Sequence, residues 1–208
     1  IYDEMLAKLQ AEGGYVVSAD EKAKLQGAIW EDGHIAARIV AQPATTLAGM
    51  AGFNLADDKT FLIVPETGAG ADHPFSGEKM SVTMALYKVK DIDEAIALTN
   101  EIQAYQGQGH SCGIYSNNDD NILKFGFNTK TSRVMVNQPQ APSNSGNLWN
   151  GMRQTFSLGC GSWGNNSTNN NITWEDLINV TWISKPLATT KVLPSDEELF
   201  GSVIEKLK

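Results

Sequence analysis

The sequence predicts an α/β domain in which a mostly parallel sheet is flanked by helices. Three observations carry that expectation. Short β-prone runs alternate with helix-period segments between residues 60 and 137. The helical segments open on Ser or Asp caps. The strands are spaced too widely for hairpins, so right-handed crossovers should join them. With 208 residues, 41% of them apolar, the chain can bury a core of its own.

Taken in order, Tyr2 to Ala11 reads as a helix, because Met5, Leu6 and Leu9 repeat at helical spacing and Gly13-Gly14 stops it. Tyr15-Val16-Val17 is a short strand. Ser18 then caps a helix from Ala19 to about Trp30, with Glu21 completing a capping box. Pro43 to Ala51 is a further short helix with Pro in its first turn. Thr60–Pro65 and Ser81–Val89 are strands, Ile92–Gln103 a helix capped by Asp91, and Cys112–Ser116 a strand. A helix from Asp119 to about Phe127 and a strand over Ser132–Asn137 complete the series. Ligands of such sheets bind outside the carboxyl ends of the strands.

Residues 138–172 break the pattern, being rich in Gln, Pro, Ser, Asn and Gly. A connection that long is functional or disordered, and the embedded Met152, Phe156, Leu158 and Trp163 favour function. The run over Leu177–Ile183 is β-prone and lies outside the βαβ series, which suits pairing with another chain. An amphipathic helix, Glu197–Lys208, ends the sequence.

Charge and cysteine content exclude several classes. A net charge of −8 argues against nucleic acid and anionic membrane as partners. No apolar run approaches the ~20 residues of a membrane span, and no signal peptide precedes the domain. The chain opens on Ile1-Tyr2 without Met, as if inside a structural unit. Cys112 and Cys160 give no disulfide framework, so a cytoplasmic, reducing location is expected. The sequons at Asn165, Asn166, Asn171 and Asn179 read as chance in an Asn-rich stretch.

Three constellations could carry chemistry. In Gly77-Glu78-Lys79-Met80-Ser81, the Glu78 carboxylate offers two acceptor oxygens to a ribose; a solvated Glu-Lys turn is the other reading. In Gly107–Cys112, His110 is a general base, an orienter of a carbonyl, or a structural imidazole; Cys112 is a buried core thiol. In Gly159-Cys160-Gly161-Ser162-Trp163-Gly164, glycines let the backbone approach a small ligand. Cys160 has no Lys, Arg or His close in sequence to activate it. No metal-ligand spacing occurs, and His34 and His73 read as surface residues.

Pro74-Phe75-Ser76-Gly77-Glu78-Lys79-Met80-Ser81, Gly109-His110-Ser111-Cys112-Gly113-Ile114-Tyr115, Ser132-Arg133-Val134-Met135-Val136-Asn137-Gln138-Pro139 and Leu158–Gly164 occur in this order. Together they resemble the C-terminal, catalytic-domain portion of the CoA-acylating aldehyde dehydrogenases, both the stand-alone enzymes and the aldehyde-dehydrogenase part of the bifunctional aldehyde-alcohol enzymes. The likeness runs from Ile1 to about Ile183.

The resemblance implies an oxidoreductase that converts an aldehyde and CoA to acyl-CoA, with NAD or NADP as coenzyme. It makes Glu78 the nicotinamide-ribose residue, Met80 a neighbour of the nicotinamide ring, and His110 the residue assisting acyl transfer. Asn137, Gly159, Cys160, Gly161, Ser162 and Trp163 become the substrate tunnel, and Asn179–Ile183 an interface strand of a homodimer or larger oligomer. Residues 1–172 are then the catalytic domain, 173–185 the interface strand and 186–208 a tail with a short helix.

Neither Cys112 nor Cys160 matches the family's nucleophile, which belongs to a motif preceding this chain's first helix. The resemblance therefore implies a chain inactive alone, since it contains neither that cysteine nor the family's dinucleotide-binding domain. The aldehyde could be acetaldehyde, succinic semialdehyde or sulfoacetaldehyde. Arg153, with Asn144, Asn147 and Asn150 nearby, suits an anionic one, though it reads equally as a surface residue. Two other readings stand: a non-catalytic binding or assembly module that keeps the sheet and the interface strand, and a Cys160 nucleophile served by His110.

Overall fold

The computed structural model describes residues 1–186, 188 and 192–207. Helix α1 (Tyr2–Ala11) leads into β1 (Gly14–Val16), and α2 (Ala19–Ile29) follows. The Ser18 hydroxyl accepts the Glu21 N–H while the Glu21 carboxylate accepts the Ser18 N–H, a complete capping box. The Tyr15 hydroxyl donates to the same carboxylate at 2.8 Å, tying strand to helix.

A hairpin of β2 (Trp30–Glu31) and β3 (His34–Ile35) comes next, then α3 (Ala44–Met50), β4 (Phe61–Pro65) and β5 (Thr83–Leu86). The second half contains α4 (Ile92–Tyr105), β6 (Cys112–Ile114), α5 (Asp119–Asn128), β7 (Val134–Val136) and α6 (Gln140–Asn144). Asp91 caps α4 and Asn118 caps α5, each accepting an N–H of the first turn.

The expected parallel sheet is present in two pieces. Strands β1, β4 and β5 form a parallel sheet in the order β1-β4-β5, and β6 pairs with β7, also parallel. Helix α2 lies between β1 and β4 in sequence, but β4 reaches β5 through a loop holding only a 3₁₀ turn, Pro74–Ser76. That helix-free connection returns the chain to the amino end of the sheet, where the Glu78 segment leads into β5. The first core joins Leu25, Ile29, Ile39, Leu47, Leu62, Val64 and Phe75; a smaller one joins Ile96, Cys112 and Phe125.

The chain divides into two units, Ile1–Asp176 and Leu177–Lys208. The second contains α7 (Asp196–Ile204), opened by a Ser195–Glu198 capping box. The β-prone run over Asn179–Ile183 forms no strand among the described residues, and Trp174–Leu177 is a 3₁₀ turn. Propensity alone does not make a strand, since its N–H and C=O groups need a neighbouring ladder. No helix of the described residues is long and apolar enough to cross a membrane.

Candidate functional site

The Glu78 segment is anchored from below. Phe75 is fully buried and packs edge-on against Trp30, with ring centroids 4.9 Å apart. Lys79 turns back and donates to the carbonyl oxygens of Phe75 at 2.7 Å and Gly77 at 2.6 Å. Burial brings its ammonium down to about 8, against the pull of Glu66 and Glu78. With Lys79 folded under, Glu78 and Met80 are both exposed. Met80 adopts φ 46°, costly for a side chain with a Cβ, and its carbonyl accepts the Ala41 N–H at 3.0 Å.

Gln106, at the end of α4, holds Glu78 in place: its Oε1 accepts the Glu78 N–H at 2.8 Å. A Cβ on Gly77 would lie 2.4 Å from that oxygen, so a larger residue there would push the Gln106 amide aside. The Glu78 carboxylate itself makes no hydrogen bond or ion pair among the described residues, which leaves both oxygens free for a diol.

His110 precedes β6 and faces the same space. Glu78 and His110 line one cleft of about 570 Å³, together with Gln103, Gln106, Ser111 and Cys112. The buried Gln103 amide oxygen in this wall has no partner. A neighbouring cleft of about 550 Å³ shares Glu78 and Gln106 and adds Met80, His34 and Trp30. Glu78, Met80 and His110 are thus brought together, and His34, taken as a plain surface residue from sequence, stands at the rim beside them.

The Cys160 loop adjoins His110 without lining that cleft. Gly109 makes the approach feasible, since a Cβ there would lie 2.1 Å from the Cys160 carbonyl oxygen. The loop is held by Arg133, a residue only 4% exposed. Its Nη2 donates to the carbonyls of Gly159, Asn170 and Asn169 at 2.8, 3.0 and 3.1 Å, and its Nε to Asn171 Oδ1 at 2.6 Å. Nη1 donates to the His110 carbonyl at 3.1 Å. Burial lowers the pKa of this guanidinium from its ordinary value.

Two sequon asparagines are structural. Asn171 is buried and donates to the carbonyls of Asn144 and Arg153, and Asn166 accepts the Cys160 N–H at 2.8 Å.

The structure gives partners to several residues singled out from the sequence. Arg153 lies outside the Glu78–His110 cleft, in one lined also by Ser132 and Arg133, and pairs with Glu175 at 2.7 Å and Asp176 at 3.5 Å and contacts Thr173. The Asn137 amide is spent on Ser116, bonding both its N–H and its carbonyl across the ends of β6 and β7. His73 is more than a surface residue, because its Nδ1 meets the buried Glu66 carboxylate at 2.9 Å. Burial alone would raise the pKa of Glu66, yet Lys22, His73 and the Thr67 N–H together hold it below its ordinary value.

Among the described residues the Cys160 Sγ makes one hydrogen bond, at 4.0 Å to the Leu158 carbonyl, and none to His110. Cys112 is buried against Thr131 and Thr129, and burial raises its thiol pKa, so it is no thiolate nucleophile. Among the described residues no cluster of His, Cys, Asp or Glu could hold a metal ion.

Sequence reasoning passed over Arg133, Gln106 and Glu66. Arg133 did carry a signal: a single cation among apolar residues of a strand expected to be covered.

No protein-family model matches the chain. It is 37% identical, over its whole length, to the sulfoacetaldehyde dehydrogenase (acylating) of Cupriavidus necator, of which it covers 42%. It is 35% identical, over 96% of its length, to the succinate-semialdehyde dehydrogenase (acetylating) of Clostridium kluyveri, of which it covers 44%. The crystal structure of an acetylating aldehyde dehydrogenase from Geobacillus thermoglucosidasius superposes with a TM-score of 0.83 at 30% identity, over 90% of this chain and 42% of that one. The chain therefore spans less than half the length of the relatives it matches.

Proposed function

We propose, from the likeness of this chain to part of the CoA-acylating aldehyde dehydrogenases, that the Glu78–His110 cleft is where coenzyme ribose and acyl thioester meet. The observation that carries this reading is the shared cleft itself, which joins two segments far apart in sequence around an unpaired carboxylate and an exposed imidazole.

Glu78 accepts the hydroxyls of the nicotinamide ribose, held at the right height by Gln106 and Lys79. Met80, forced outward by its left-handed backbone, packs near the nicotinamide ring. When bound, NAD or NADP supplies the electron acceptor for aldehyde oxidation. His110 polarises or orients the thioester during acyl transfer to CoA. The glycine-rich Gly159–Trp163 loop, with Ser162 and Cys160, shapes the aldehyde's approach from beside Gly109. The names of the two sequence relatives support an anionic aldehyde, sulfonated or carboxylated, as substrate.

The reacting thiolate is not supplied by Cys112 or Cys160, so this chain by itself does not turn over. The two unbridged thiols support a reducing, cytoplasmic setting. The exposed Val180, Trp182 and Ile183 support a role for this run as a strand added to a second copy, as in a homodimer or larger oligomer.

The test is an assay of the purified chain with sulfoacetaldehyde or succinic semialdehyde, CoA and NAD or NADP, beside calorimetric binding of the same coenzymes. The expected result is coenzyme binding that Glu78→Gln weakens about tenfold, one charge-assisted contact's worth, with no reduced coenzyme formed. Turnover by this chain would sink the claim of inactivity; binding indifferent to Glu78 would sink the assignment of the cleft.

A further inference from the structure

Ser111 stands at the centre of a small polar network whose hydrogen count can be closed. Its Oγ receives N–H bonds from Gln140 Nε2 at 2.9 Å and from Asn144 Nδ2 at 3.1 Å. Gln140 and Asn144 are four apart on α6, so they share a helix face and converge on one point. The identity of the Gln140 nitrogen follows from its second bond, to the Ser111 carbonyl oxygen at 2.9 Å, which can only accept. With the amide as the structure places it, Asn144 Oδ1 accepts the Ser145 hydroxyl at 3.2 Å and Nδ2 is turned to Ser111.

A serine hydroxyl has two acceptor lone pairs and one proton to give. Both lone pairs of Ser111 are taken, so the proton goes to the remaining neighbour, His110 Nδ1 at 2.8 Å. Nδ1 is then an acceptor, and in a neutral imidazole the ring proton must stand on Nε2. The His110 backbone is held as well, because Arg133 donates to the His110 carbonyl and, through Asn171 and the Asn144 carbonyl, braces α6. His110 Nε2 has no hydrogen-bond partner among the described residues, and the residue borders the cleft.

We propose that Ser111 is a positioning residue that holds neutral His110 as the Nε2–H tautomer, so that the imidazole offers the cleft an N–H donor and not a lone pair. The consequence, which rests on the acyl-CoA reading above, is a defined role in thioester chemistry. His110 donates a hydrogen bond to the carbonyl oxygen of the acyl group, where negative charge develops as the carbonyl is attacked. It does not take the proton of the CoA thiol, because Nε2, the nitrogen left free by Ser111, already carries one.

The test is a long-range ¹H–¹⁵N correlation spectrum of the uniformly labelled 208-residue chain at alkaline pH, with the ring assigned by its loss in His110→Gln. The expected result is a protonated, pyrrole-type Nε2 and an unprotonated, pyridine-type Nδ1. Ser111→Ala should collapse the two resonances toward each other as the tautomers mix, and Ser111→Thr should restore the separation. A pyrrole-type Nδ1 in the unsubstituted chain, or a spectrum indifferent to Ser111→Ala, overturns the assignment. If Ser111→Ala does not fold, the unsubstituted spectrum decides alone. The two readings fail separately: coenzyme binding indifferent to Glu78, with the Nε2–H spectrum intact, removes the proposed function and leaves the tautomer standing.

Discussion

Arg133 Nη1 donates to the carbonyl oxygen of His110 at 3.1 Å, while Nη2 of the same guanidinium holds the Gly159 carbonyl at 2.8 Å. One buried cation therefore fixes both the imidazole segment and the glycine-rich loop. Its acceptors are four main-chain carbonyls and an asparagine amide, with no carboxylate within ion-pair distance among the described residues. The planar fork of arginine suits this divergent set; lysine's single ammonium does not.

Removing that fork leaves several buried oxygens without donors. Arg133→Met is expected to cost on the order of 3 kcal/mol in urea denaturation, the scale of a buried charged-group network. Arg133→Lys should recover only part of it. A loss below about 0.5 kcal/mol, typical of a surface change, would mean that the loop holds itself through bonds such as Gly159 N–H to Asn170 and Gly161 N–H to Thr168.

Lys79 gives a pH dependence of definite sign. Its pKa is about 8 in the folded protein against an ordinary 10.5. Between those values the unfolded chain keeps a proton that the folded chain has lost, so this group's contribution to stability rises with pH. Tyr87, pushed up to about 12 mainly by burial, acts oppositely, but only above its ordinary 10.0. Denaturation curves collected from about pH 8 to 10 should therefore show a rise that Lys79→Met flattens. Parallel curves for the two proteins would contradict the burial of this amine.

The run around Trp182 carries the assembly reading. Trp182 is 88% exposed and Ile183 85%. If this run pairs with a second copy, Trp182→Asp should lower the sedimentation mass of the chain without changing its far-UV circular dichroism. A monomeric unsubstituted chain, or an oligomer that ignores the substitution, would rule that role out.

The sequence made the local rules legible and the long-range ones not. Caps at Ser18 and Asp91 were readable because capping is decided within four residues. Strands came out shorter than their β-prone runs, because Ser81-Val82 and Tyr87–Val89 extend beyond the ladder they help to build. The β2–β3 hairpin was missed although Asp32-Gly33, both at positive φ, is a strong hairpin signal. That hairpin is what carries His34 to the rim of the second cleft. Glu78 and His110 were nameable from their motifs, yet the partners that hold them, Gln106, Arg133, Gln140 and Asn144, come from elsewhere in the chain. The partners of Arg153, Glu175 and Asp176, likewise come from a distant segment.

The most direct test of the central claim is chemical-shift mapping on the labelled chain with nicotinamide mononucleotide and, separately, CoA. The mononucleotide contains the ribose and nicotinamide that Glu78 and Met80 are assigned to meet. Its largest perturbations should fall on Glu78, Met80 and Gln106, and those of CoA on His110 and Ser111, with Gln106→Ala weakening the former. Perturbations confined to the Cys160 loop or to the Arg153 region, with none in the Glu78–His110 cleft, would contradict the account.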